Sequence, residues 1–197
     1  MSSPIPSDKS GSRLSVRELC YLALIAAMIF SVKVALSSLP NINLNAVLII
    51  LTTLFFGWKA MYAVGVYVLL EGLVYGFHVW WICYLYIWPL LVVIVMLFRK
   101  NTSPVIWAVI AGIYGLLFGP LMYLGWFAIL GGWKGYFAMW VAGIPYDITH
   151  AVSNFLTVLV LFRPLYSVMA RSIRLTDGPA GGTPCGTNSS DDAEALK

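Results

Sequence analysis

Six apolar segments follow one another along this chain, at about 17–39, 43–57, 60–78, 80–98, 104–128 and 137–162. Their interiors are broken by only three charged residues, Lys33, Glu71 and Asp147. A helix of about 20 residues covers the hydrocarbon core of a bilayer, so most of these runs are the length of a span. The whole chain is 60% hydrophobic and 10% charged, where a soluble domain carries about a quarter charged residues. The expected fold is therefore all-α and integral to the membrane, with six transmembrane helices in one bundle. Segment two is short for a span and follows the irregular stretch "LPNINLN"; "GFHVWW" between segments three and four must be a tight turn or break.

Orientation follows from the basic residues. With both termini cytoplasmic, the inside holds Lys9, Arg13, Arg17, Lys59, Arg99, Lys100, Arg163, Arg171, Arg174 and Lys197, against Lys33 and Lys134 outside. Such an excess of Lys and Arg marks the cytoplasmic side. The same clustering at segment ends explains the net charge of +4 without nucleic acid as a partner. Residues 1–14 and 176–197 are polar and rich in Ser, Pro or Gly, and are expected as disordered cytoplasmic tails around a membrane domain at 15–175. The first apolar run is longer than a signal-peptide core and contains Lys33, so it is read as a retained span. Cys20, Cys83 and Cys185 show no CxxC spacing, so neither a disulfide framework nor zinc is indicated.

In this orientation the polar groups fall at one depth. Asp147, His150 and Asn154 in "YDITHAVSN" stand at i, i+3 and i+7, one face of a helix. Glu71 lies in the outer half of segment three, with Tyr75 and His78 on its face. Trp81, Tyr84 and Trp88 repeat the i, i+3, i+7 spacing in segment four. An aromatic surround with a few carboxylate, imidazole and amide groups suits a flat polar organic molecule, because rings supply stacking area and polar groups fix orientation.

Each group also has a plainer reading. Asp147 follows Pro145 and can cap a helix start. Lys33 is read as snorkelling to the outer interface, and Trp133 and Tyr136 as an interfacial belt. His150 and Asn154 can simply bond a neighbouring helix, for about 0.6 kcal/mol or somewhat more. Glu71 is the hardest to assign to structure alone, since a lone carboxylate at that depth costs a few kcal/mol and needs a partner.

Two histidines and two carboxylates on separate helices do not make a metal set. No nucleophile stands in a context such as GxSxG, and no phosphate-cradling loop is present. The chain is thus expected to be neither an enzyme nor an ATPase, and to carry no cofactor. Small residues mark close helix approaches: Ala23 and Ala27 form an AxxxA in segment one, and Gly112, Gly115 and Gly119 precede Pro120 in segment five.

In order and spacing, "LALIAAMIF", "LPNINLNAVLIILTTLFFGWKAMYAVGVYVLLEGLVYGF" and "GIPYDITHAVSNF" resemble the substrate-binding (S) components of energy-coupling factor (ECF) vitamin transporters, over roughly residues 15–170. The resemblance implies a six-helix subunit of the prokaryotic plasma membrane that captures a small water-soluble vitamin near the outer surface. It implies as partners a membrane coupling subunit, docked on Ala23 and Ala27, and two cytosolic ATPase subunits. It also implies a binding site from loop one and the outer parts of later helices, here Asn43, Glu71, Trp80, Trp81, Tyr84, Asp147, His150 and Asn154. The alternative is a non-transport membrane scaffold of the MreD-like envelope or cell-shape kind, for which a dry interior would speak.

Overall fold

The computed structural model describes residues 14–38, 44–101 and 103–176, the last three as backbone only. All the regular structure in these residues is helical. Helix α1 spans Val16–Ala35, α2 Asn45–Phe56, α3 Ala60–Tyr75, α4 Val79–Leu97, α5 Pro104–Gly125 and α6 Trp133–Thr176, with a 3₁₀ turn at Gly57–Lys59 between α2 and α3. Five stretches are long and apolar enough to cross a membrane: Val16–Ala35, Asn45–Tyr75, Val79–Leu97, Pro104–Gly125 and Trp133–Ile173. Leu24, Leu69, Leu73, Ile113, Leu117 and Val160 are among many large apolar side chains left exposed. Water does not tolerate apolar surface on this scale, so the protein is membrane-embedded.

Local signals set the helix ends. Ser15 Oγ accepts from the Glu18 amide at 3.1 Å while Glu18 Oε2 accepts from the Ser15 amide at 3.0 Å, a reciprocal cap that starts α1. Gly57 (φ +58°) and Gly76 (φ +89°) end α2 and α3 in backbone conformations that side chains disfavour. The second stretch is not one straight rod. Asn45 Nδ2 donates to the Tyr67 hydroxyl at 2.8 Å, whereas a continuous helix would separate two residues 22 apart by about 33 Å. The chain reverses at Gly57, and α2 and α3 lie side by side.

Helix α2 is the shortest and the most enclosed. Every residue from Asn45 to Thr53 is buried, and α1, α3, α4, α5 and α6 all touch it. That explains why "NAVLIILTTLFF" is apolar all round rather than on one stripe. Two ion pairs align α1 parallel with α3: Glu18 with Lys59 at one end, at 2.7 Å, and Lys33 with Glu71 at the other. Tyr86 bonds the Leu121 carbonyl and Tyr114 the Ile87 carbonyl, so α4 and α5 are antiparallel. The Tyr21 hydroxyl reaches the Ser172 carbonyl at 3.2 Å, bringing the end of α6 to the start of α1. Arg17, Lys59, Arg99, Lys100, Arg163 and Arg171 consequently lie towards one end of the bundle, and Lys33 and Lys134 towards the other.

Three sequence readings are corrected here. The last helix begins at Trp133 rather than about 137 and continues to Thr176 rather than 162, through Pro145 and Pro164. Proline is tolerated inside membrane helices because neighbouring helices and local adjustments re-satisfy the freed backbone groups; here those groups are the Val141 and Val160 carbonyls, one turn before each ring. Asp147 is therefore mid-helix and caps nothing. His78 lies beyond the end of α3, at the start of α4, and so does not continue the Glu71 face.

Candidate functional site

Glu71 is wholly buried, at 0% exposure, near the end of α3. Its partner is Lys33, so Lys33 does not snorkel to the interface as its sequence position suggested. A carboxylate at this depth recruits the nearest cation because an unpaired charge is costly there. The Lys33 ammonium also lies over three rings, 5.6 Å from the centre of Tyr75, 5.7 Å from Trp80 and 5.0 Å from Tyr84. These are cation–π distances. One oxygen of Glu71 takes the ion pair; the other, Oε1, is buried without a close hydrogen bond, with the Tyr67 hydroxyl near the carboxylate. Tyr67 sits one turn earlier on α3 and accepts from Asn45.

From this box a continuous file of rings crosses the bundle. Along α4, Trp80 meets Tyr84 at 5.3 Å and Tyr84 meets Trp88 at 5.7 Å, both edge to face. Residues 80, 84 and 88 recur every four positions, which keeps them on one helix face. Trp88 contacts Tyr67 of α3 at 5.8 Å and Phe118 of α5 at 5.8 Å. Phe118 in turn stacks on the His150 imidazole of α6 at 4.6 Å and 27°. The file thus runs from the Lys33–Glu71 pair to the polar stripe of α6. The Trp88 Nε1 donor is buried inside it without a hydrogen-bond acceptor.

The stripe itself faces α5, where glycines make room for it. A Cβ at Gly119 would collide with the Asp147 carboxylate; one at Gly115 would lie 2.8 Å from Ala151 Cα and 3.0 Å from Asn154 Nδ2. Asp147 Oδ1 accepts the backbone N–H of Gly119 at 3.1 Å. Pro120 follows directly; lacking an N–H, it leaves the Leu116 carbonyl without its helical donor. Asp147 Oδ2, Ser153 Oγ and both amide atoms of Asn154 are buried without hydrogen-bond partners. Asn154 is 1% exposed. Each such atom costs about 1–3 kcal/mol relative to a bonded one.

The expected residues divide accordingly. Glu71, Trp80 and Tyr84 meet in one box, and His150 is linked to it through Phe118 and Trp88. Asp147 and Asn154 share the His150 face and line the α5 contact. Trp81 is turned away: its Nε1 donates to the Val68 carbonyl at 2.8 Å and its ring meets Phe77 edge to face at 4.8 Å, so it packs α4 on α3. Asn43 lies outside the described residues. Ala23 and Ala27 are exposed on α1. Sequence reasoning missed Tyr67 and Phe118, and noted Tyr75 and Trp88 by their spacing without counting them among the binding residues; Tyr67 stands four residues before Glu71 on its face, whereas Phe118 had no signal beyond being aromatic. Among the described residues, no three of His, Cys, Asp and Glu gather closely enough to hold a metal ion.

No family model, curated protein or solved structure matches the chain.

Proposed function

We propose that this protein is the substrate-capture subunit of an ECF-type importer, with six membrane-crossing helices and both termini in the cytoplasm. It binds a small, water-soluble, vitamin-like molecule and delivers it with a membrane coupling subunit and two ATPase subunits. The observation that carries this reading is the joining of an aromatic file to buried polar atoms without partners. Rings of Trp80, Tyr84, Trp88 and Phe118 offer stacking surface, and Glu71 Oε1, Asp147 Oδ2 and the Asn154 amide have unused hydrogen-bonding capacity. A polar aromatic ligand would satisfy both at once. The basic residues, gathered at one end of the bundle, support a cytoplasmic face there; in this reading the Lys33–Glu71 box belongs to the outer half. Ala23 and Ala27, small and exposed on α1, suit close approach by a partner helix.

A scaffold function is the second reading. The close fit of Gly112, Gly115 and Gly119 against α6 favours it, since such packing is what a rigid, ligand-free interior needs. Mass spectrometry of small molecules that co-purify with the protein separates the two. Capture requires a stoichiometric ligand whose affinity falls in Glu71→Gln and Asn154→Leu. If nothing co-purifies from rich medium and no vitamin pool binds, the scaffold reading replaces it.

A further inference from the structure

Helices α1 and α3 are joined by two ion pairs of like composition, yet the pairs have different surroundings. Glu18 and Lys59 meet at the basic end of the bundle, with both Glu18 oxygens engaged by Lys59 at 2.7 and 2.9 Å. Lys33 and Glu71 meet inside a ring of aromatics from two helices, Tyr75 of α3 and Trp80 and Tyr84 of α4. A clamp between helices needs only the charges. Three ring faces around an ammonium, with a buried carboxylate beneath, form the cage that recognises an organic cation. The Lys33 side chain keeps 26% of its surface exposed while Glu71 keeps none, so the cation side of the pair is the accessible one. Lys33 hangs on a flexible four-carbon stem, whereas Glu71 is fixed in place, its Oε1 making no close hydrogen bond although the Tyr67 hydroxyl lies near the carboxylate.

We propose that Lys33 is a tethered occupant of a cation subsite, and that the captured molecule carries an organic cation that displaces it. The ligand class is then an amine, quaternary ammonium or cationic heteroaromatic, with Glu71 as counter-ion and Tyr75, Trp80 and Tyr84 as walls. This deepens the capture reading and rests on it. Displacement exchanges one cation for another over the same carboxylate, so Glu71 never stands unpaired. The lysine thereby sets a threshold: only a ligand with further contacts along the Trp88–Phe118–His150 file outcompetes an intramolecular rival.

The test uses the full chain in lipid nanodiscs and radiolabelled choline, a cation too small to use the rest of the file. Lys33→Gln keeps an amide donor for Glu71 while vacating the cage. Choline is expected to bind Lys33→Gln at least about tenfold more tightly than wild type. The gain should vanish in Lys33→Gln/Glu71→Gln, and the uncharged analogue with carbon in place of the ammonium nitrogen should compete poorly. Equal affinity in wild type and Lys33→Gln, or a gain that survives Glu71→Gln, overturns the proposal. Should Lys33→Gln fail to fold, Lys33→Met, an uncharged chain of similar length, takes its place with the same expected gain and the same overturning results. Co-purification separates the two readings. A neutral or anionic ligand sinks the cation subsite but keeps capture, while tight choline binding with no co-purifying ligand keeps the subsite alone.

Discussion

Replacing Asn154 with leucine should move stability and ligand affinity in opposite directions. The two side chains share a branched four-atom skeleton, leucine being the bulkier, and Asn154 is 1% exposed, so the exchange keeps burial nearly constant while pressing methyl groups against Gly115. In the ligand-free protein neither amide atom has a hydrogen-bond partner. An unsatisfied buried polar group costs about 1–3 kcal/mol, and an apolar group of the same shape escapes that cost. Asn154→Leu is thus expected to stabilise the empty protein by up to about 1–3 kcal/mol, less the cost of fitting the larger side chain, or a rise of at most roughly 2–12 °C in Tm for a chain of this size. Affinity for the co-purifying ligand should fall about ten- to a hundredfold, because the ligand loses the hydrogen bonds the amide supplies. Thermal unfolding in detergent and isothermal calorimetry read the two effects on one preparation. A variant less stable by 1 kcal/mol or more, with unchanged affinity, would refute the reasoning and make Asn154 an interhelical fastener.

Further outcomes follow from the same geometry. Gly119→Ala should destabilise the α5–α6 contact by about 1–3 kcal/mol, since its Cβ would overlap the Asp147 carboxylate; Gly119→Ala/Asp147→Ala should recover most of that loss, and a double-mutant cycle in thermal unfolding without coupling would contradict the contact. Ala23→Trp and Ala27→Trp should leave ligand binding by the isolated protein unchanged, both sites being exposed, but abolish uptake by the assembled complex; normal uptake in both would remove α1 from the partner interface. Liposomes holding this chain alone should accumulate no ligand against a gradient and hydrolyse no ATP, because no phosphate-cradling loop is present in the sequence. Concentrative uptake there would require an energy source within the subunit.

Long apolar runs, their lengths and the basic residues at their ends were enough to read a helical membrane protein and to locate most helices within a few residues. Those properties are local: each apolar residue prefers lipid or protein interior to water whatever its neighbours are. The reciprocal cap at Ser15 and Glu18 and the break at Gly76 are local too. The shared face of Asp147, His150 and Asn154 was legible because helical spacing alone dictates it. What the stripe faces was not, for that depends on which helix lies opposite. Only the tertiary structure places the glycines of α5 against it, buries α2 at the centre, turns Trp81 onto α3 and aligns Trp80 with Tyr84. It likewise pairs Lys33 with Glu71 across 38 positions of sequence. Lys33 near a helix end reads as an interfacial cation by itself, and becomes a caged one only because α3 brings a buried carboxylate alongside and α4 brings the rings. Asp147 beside a proline reads as a cap, yet α6 continues through Pro145, as a membrane helix packed against neighbours can. Local free energies choose the helices; the partners of buried charges and amides are chosen by contacts between segments far apart in the chain.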